Sequence, residues 1–188
     1  TLLADMLSSK SHSSKEVRDM FSEVSDRIKQ TDMAKDLKSE LEKMKNAEMG
    51  SKAPDFEAPT PDGEMLALSD RMGQVTVVDF WAAWCKPCRI ENPNLVKTYN
   101  KYKDQGLNII SVSLDRPGQK DRWVQAIKDD KLEQWDHVSN LQFWQDPVAR
   151  LYGITAIPAT YILDKDGIIV AKNLRGDALA EKIGELLN

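Results

Sequence analysis

The chain has 188 residues and only two cysteines, three apart in Trp84-Cys85-Lys86-Pro87-Cys88. Such a pair can bond to itself, bind a metal ion or stay as free thiols. Its setting favours dithiol/disulfide chemistry, because an apolar run ends just before it and a helical pattern begins at it. A thiol at a helix N-terminus meets unpaired amides and the positive end of the macrodipole, which bring its pKa from ~8.5 into the range of roughly 3.5–7.5. Cys85 holds that position and is expected to be the exposed, attacking thiolate. Cys88 lies one turn on, within disulfide reach, and is expected to be more buried. The implied sequence is attack by Cys85, a mixed disulfide, then resolution by Cys88.

Resolution needs a proton acceptor for Cys88, and two carboxylates qualify. Asp79 is the only charge in the run Val75–Trp81. A charge in a buried strand is costly unless it is used or paired. Glu91 stands three residues past Cys88, on the adjacent turn. The plainer alternatives are a paired structural carboxylate for Asp79 and an exposed helix residue for Glu91. Ile157-Pro158 opens a strand, a position open to proline, and both bond isomers remain open there. Trp84, beside Cys85, would offer an exposed apolar surface for docking. With Lys86, Pro87 and Ile157 it makes up the candidate substrate contacts.

Other chemistries fit less well. Zinc needs about four ligands, and beyond the cysteines there are only two histidines, His12 and His137, far apart. A peroxide reductase of related fold would not normally place its attacking cysteine in such a pair. A copper carrier would need a wider cysteine spacing and a histidine; His137 beside Trp135 reads as a surface or packing residue. The non-enzyme alternative is a redox-sensing or binding module that has lost catalysis. The net charge of −4 points to neither nucleic acid nor an anionic membrane as partner. No apolar stretch approaches the ~20 residues that span a bilayer. Two cysteines are too few for a disulfide scaffold. The chain starts at Thr1, as expected of a trimmed piece of a longer protein.

The elements that must position these residues fall in two regions. Residues 1–49 are polar and lack proline, and apolar residues recur at helical spacing: Val17, Met20, Phe21, Val24, Ile28, then Met33, Leu37, Leu41, Met44. This predicts two amphipathic helices with a break near Gln30-Thr31-Asp32, serving as a linker, a partner-binding arm or a packed extension. Residues 8–14, with His12, read as a solvated loop or frayed end. From Gly50 the texture changes. Pro61-Asp62-Gly63 predicts the turn of an edge hairpin. Residues 75–81 predict a central strand, 85–102 a helix kinked at Pro93, 108–114 a second strand and 120–130 a helix facing inward through Trp123, Ala126 and Ile127. Asp146-Pro147 caps a short helix that Gly153 ends. Residues 158–163 and 168–172 form a hairpin, and Asp177 caps a last helix. The fold class is therefore α/β, with a mixed central sheet flanked by helices.

The stretch Val77-Val78-Asp79-Phe80-Trp81-Ala82-Ala83-Trp84-Cys85-Lys86-Pro87-Cys88-Arg89 resembles the active-site segment of thioredoxins. Ala156-Ile157-Pro158-Ala159-Thr160 resembles their cis-proline strand. Ala53-Pro54-Asp55-Phe56 and a long insertion at 113–145 are similar to the TlpA/ResA-like branch of exported thiol–disulfide oxidoreductases. The resemblance covers residues 50–188 and implies a thioredoxin-like domain there, with 1–49 as an N-terminal helical extension. It implies Cys85 as attacking and Cys88 as resolving cysteine, Pro158 as a cis-proline contacting substrate, and no cofactor beyond the redox-active disulfide. Glu91 matches the acid of the ResA-like branch and Asp79 the buried aspartate of cytosolic thioredoxins. Lys86 replaces the glycine of thioredoxin; a nearby cation favours thiolate and a more oxidising couple. The implied partners are disulfide-containing proteins and a thiol electron donor. The implied setting is the periplasm or cell envelope, with a membrane tether or further N-terminal domain outside this sequence.

Overall fold

The β-branched and aromatic run Val75–Trp81 is buried at all seven positions, as a strand covered on both faces requires. A computed structural model describes residues 20–36, 38 and 47–188. In chain order its elements are α1 (Asp26–Lys29), β1 (Glu57–Pro59), β2 (Met65–Ala67), β3 (Val75–Trp81), α2 (Lys86–Tyr102), β4 (Leu107–Ser113), α3 (Lys120–Asp129), β5 (Asp136–Val138), α4 (Pro147–Leu151), β6 (Ala159–Asp164), β7 (Ile169–Lys172) and α5 (Gly176–Leu187). Five strands form one sheet in the order β5-β4-β3-β6-β7, and β1-β2 form a separate hairpin. β3 runs parallel to β4, and β4 to β5, while β6 lies antiparallel to β3 and to β7. The sheet is mixed and the fold thioredoxin-like, in agreement with the sequence.

Side chains alternate across β3 and so build two cores. On one face Phe80 packs against Tyr152 and Tyr161, with ring centroids at 5.3 and 5.9 Å. On the other, Trp81 meets His137 at 6.0 Å, and Trp135 joins Tyr99 of α2 at 5.2 Å. His137 is buried and stacked on Trp135; of the two roles read for it, packing is the one it has. α2 and α5 press together closely. A Cβ on Gly184 would come within 2.5 Å of the Tyr102 hydroxyl, so any larger residue there requires Tyr102 to shift.

Several expectations shift. α2 starts at Lys86 with Cys85 as its N-cap, and it runs through Pro93 as one element to Tyr102. β5 was not foreseen; three residues are too few to show a period of two. Asp177 does not cap the last helix. It lies in the first turn of α5, whose N-cap position is Arg175 with no side-chain cap of its own. In the N-terminal region, the described part is helical at 20–22, 26–29 and 32–36; the interruption at 30–31 falls at the expected break, while a second at 23–25 divides what the sequence read as one helix. Its apolar stripe is only partly covered: Phe21 and Ala34 are buried, while Ile28 and Met33 are exposed. Val17, Leu37, Leu41, Met44, His12 and the 8–14 stretch lie outside the described residues. Residues 47–53 run along the outer edge of β7. Gly50 and Ala53 donate to the carbonyls of Ile169 and Gly167, both at 2.8 Å, and Ile169 donates to Ser51 at 2.9 Å. They pair an edge that would otherwise be open, and Ala47 joins the main core.

Candidate active site

β3 ends at Trp81, and the three residues Ala82, Ala83 and Trp84 lead to Cys85 at the head of α2. Cys85 and Cys88 are joined by a disulfide, with Cα atoms 5.3 Å apart. The Cys88 N–H also donates to Cys85 Sγ at 3.2 Å. That amide belongs to the unpaired first turn of a 17-residue helix, so it and the macrodipole would hold a Cys85 thiolate once the bond is reduced. Cys85 is not exposed in this disulfide form: it is 4% accessible, against 1% for Cys88. Lys86 and Pro87 form the exposed first turn.

The loop is fixed through the backbone on both sides of Ala83. Ala83 N–H donates to the buried Asp115 carboxylate at 2.9 Å, which also accepts from the Ser113 hydroxyl at 2.7 Å. The Ala83 carbonyl accepts from Arg89 at 3.4 Å. Arg89 forks onto Asp130 through Nε and Nη2, the latter at 2.8 Å, and Asn92 donates to the same carboxylate at 2.6 Å. The cysteine loop is thus clamped between the end of β4 and the end of α3. Trp84 is half-buried rather than an exposed docking face. Its indole N–H donates to the Leu114 carbonyl at 3.1 Å, and its ring packs on Phe143 at 5.4 Å and Trp144 at 6.2 Å. Arg116 covers the other aromatic, 4.6 Å from the Phe143 centroid.

The two acids sit in different settings. Asp79 is 6% accessible, in the middle of the sheet. It accepts from the Ser111 hydroxyl at 3.2 Å, and Ser111 accepts from the Trp135 indole at 3.0 Å. Burial pushes its pKa up to about 7; the Ser111 hydrogen bond opposes this, the negative charge of Glu91 adds to it, and Arg175 counters it. Glu91 is half-buried, and its carboxylate is already occupied. Oε1 accepts from the Gly176 N–H at 2.6 Å and Oε2 from Asn94 at 3.2 Å. Glu91 therefore supplies from α2 the cap that α5 lacks. The plain reading of Glu91 as an exposed helix residue does not describe it.

Ile157-Pro158 is cis. Pro158 is buried, Ile157 half-buried, and Thr155 and Ala156 are exposed. Ala159 pairs with Phe80, which brings Pro158 to the end of β3 where the cysteine loop departs. Arg175 donates to the Pro158 carbonyl at 2.5 Å. The geometry thus gathers the cysteines, both acids and the proline at one end of the sheet. It adds Asp115, Arg89, Asp130, Phe143, Trp144, Arg116 and Arg175, which sequence reading missed. For Asp115 a signal existed, a lone charge closing a buried strand; the partners of the others are remote in sequence. Among the described residues no group of three or more His, Cys, Asp or Glu is placed to hold a metal ion, and no helix is long and apolar enough to cross a membrane.

The profile of the AhpC/TSA family matches residues 49–172. The chain belongs to the AhpC/TSA family. Among its relatives, the thiol-disulfide oxidoreductase ResA of Bacillus thuringiensis subsp. konkukian is 31% identical over 153 residues, covering 77% of this chain and 80% of that protein. The thioredoxin-like protein YneN of Bacillus subtilis is 33% identical over 120 residues, covering 64% and 68%. Among solved structures, the thioredoxin domain of a thiol-disulfide oxidoreductase from Bacteroides vulgatus superposes with a TM-score of 0.68 at 38% identity, covering 75% of this chain and 99% of that one. The C-terminal domain of a putative thiol-disulfide oxidoreductase from Bacteroides thetaiotaomicron gives 0.69 at 36% identity, covering 76% and 97%. The activity of this AhpC/TSA-family chain is thiol–disulfide oxidoreduction by dithiol–disulfide exchange, and its substrates carry disulfides.

Proposed function

We propose that the protein reduces disulfides of exported partner proteins, with Cys85 attacking, Cys88 resolving and Asp79 as the base. The observation that carries this reading is the pairing of a helix-capping Cys85 with a buried carboxyl whose pKa is raised to about 7. In the dithiol form, Cys85 thiolate attacks one sulfur of the substrate disulfide. A Cys85–substrate bond forms, the substrate S–S bond breaks, and the departing thiolate takes a proton. Asp79 then accepts the Cys88 proton, and Cys88 attacks Cys85 Sγ. The Cys85–Cys88 bond forms and the second substrate thiolate leaves. Two electrons have passed to the substrate, and an external thiol donor restores the dithiol. Asp79 suits the base role better than Glu91, because its carboxyl changes protonation near neutral pH whereas both Glu91 oxygens are engaged.

Ile157, cis-Pro158, Lys86 and Pro87 are the proposed substrate contacts, with Trp84 as the half-buried wall behind them. Residues 50–188 form the catalytic domain, to which 47–49 add an edge. The rest of the first 49 residues serves as a linker or extension between this domain and a membrane tether or another domain in the cell envelope. The test is trapping: Cys88→Ser should accumulate mixed disulfides with envelope proteins on non-reducing gels. A Cys88→Ser protein that captures nothing while wild type reduces the same proteins would overturn the division of roles.

A further inference from the structure

Four consecutive residues, 173–176, at the turn from β7 into α5 each make one hydrogen bond to an element of the site. Asn173 N–H donates to the Thr160 carbonyl at 2.7 Å. The Leu174 carbonyl accepts from the Thr160 hydroxyl at 2.9 Å. Arg175 Nη2 donates to the Pro158 carbonyl at 2.5 Å. Gly176 N–H donates to Glu91 at 2.6 Å. Thr160 lies opposite Asp79 on the neighbouring strand, so the turn reaches Pro158 just ahead of β6, the partner of the buried acid, and the helix carrying Cys88. It achieves this by reversing sharply, with Asn173 at φ 58° and Gly176 at φ 54°. Three of the four bonds come from the turn's backbone. Only Arg175 acts through its side chain.

We propose that Arg175 is a positioning residue for the exchange reaction: its guanidinium holds the cis-Pro158 carbonyl, and its turn holds Glu91, so that the strand start receiving substrate and the helix bearing Cys88 are locked together. This rests on the exchange reading above, with Ile157-Pro158 as a substrate contact. A guanidinium suits the task because it keeps its charge at every working pH and donates in a fixed plane. Its placement has a second consequence. The charged groups acting on Asp79 are Glu91 from α2, which raises its pKa, and Arg175 from the turn, which lowers it; Ser111 from β4 contributes a hydrogen bond. Arg175 thus steadies the strand and opposes Glu91 at the buried acid.

The two effects separate by substitution in the full chain, with insulin disulfide as probe. Arg175→Met loses both donor and charge. It should raise KM roughly 3- to 10-fold, the scale of one partly screened, charge-assisted hydrogen bond, and should move the midpoint of the pH–rate profile to higher pH. Arg175→Gln keeps a donor without the charge, and should hold KM closer to wild type while shifting the midpoint. Arg175→Lys should keep the midpoint. If Arg175→Met fails to fold, the Gln and Lys variants decide the same question. A Met variant, or a Gln and Lys pair, with wild-type KM and midpoint would overturn the proposal, as would a change confined to thermal stability. Failure of the exchange reading would look different: wild-type protein would itself not reduce insulin.

Discussion

Asp79 carries a proton at neutral pH more often than an ordinary carboxylate, because the sheet withholds water from it. Its pKa rises from 3.8 to about 7 on folding, so the folded chain binds the proton more tightly than the unfolded one. The stabilising contribution is therefore complete below pH ~4 and is lost as pH rises to about 7. Asp79→Asn has no such loss. Its stability advantage over wild type should grow between pH ~4 and ~7 and then level off, reaching as much as about 4 kcal/mol for the full shift; urea unfolding at several pH values measures it. An advantage independent of pH would mean that the carboxyl is not held neutral. The same variant should slow resolution by Cys88 while leaving Cys85 attack near the wild-type rate, as rapid-mixing kinetics would show. Equal rates at both steps would move the base role to Glu91 or to water. The cysteines and Asp79 were legible in the sequence because the signal is local: a lone charge in an apolar run, and two thiols one turn apart. The difference between the two acids was not, since it depends on what each carboxylate touches after folding.

At the scale of elements, α5 depends on α2 for its cap. Glu91 and Gly176 are 85 residues apart in sequence, which is why Asp177, the local candidate, looked like the cap and is not. Glu91→Ala should cost about 1 kcal/mol, as the loss of a helix cap does, and should raise amide exchange in the first turn of α5 above that of the other helices. Unchanged exchange there would contradict the capping role. Gly184→Ala should destabilise by roughly 1–3 kcal/mol, because the Tyr102 ring must shift to admit the added methyl; its effect is read in the same denaturation experiment. β3, β4, α3 and the β6–β7 hairpin were readable from periodicity and turn residues. β5 was hidden by its brevity. The clamp Arg89–Asp130 spans 41 residues and leaves no local pattern.

On the scale of the whole molecule, the sheet end that gathers the cysteines, Asp79 and Pro158 is held from three directions: Asp115 and Asp130 behind the loop, Glu91 and the 173–176 turn beside it, and the Trp84–Phe143–Trp144 cluster at its flank. Texture alone placed the domain boundary at Gly50, yet Ala47 sits in the core and Lys172 donates to its carbonyl at 2.8 Å. Removing residues 1–46 should leave redox activity intact, whereas removing 1–53 should strip the cover from β7 and lower the melting temperature by several degrees. Equal melting temperatures for the two truncations would contradict that assignment. The central claim is that one dithiol, Cys85 and Cys88, delivers electrons to protein disulfides. Its most direct test is a single-turnover reaction of the reduced, full chain with insulin, counting thiols and mapping disulfides by mass spectrometry. The account predicts one Cys85–Cys88 disulfide formed per insulin disulfide reduced, and no reaction for Cys85→Ser. Insulin reduction that leaves the pair reduced, or that persists in Cys85→Ser, would contradict it.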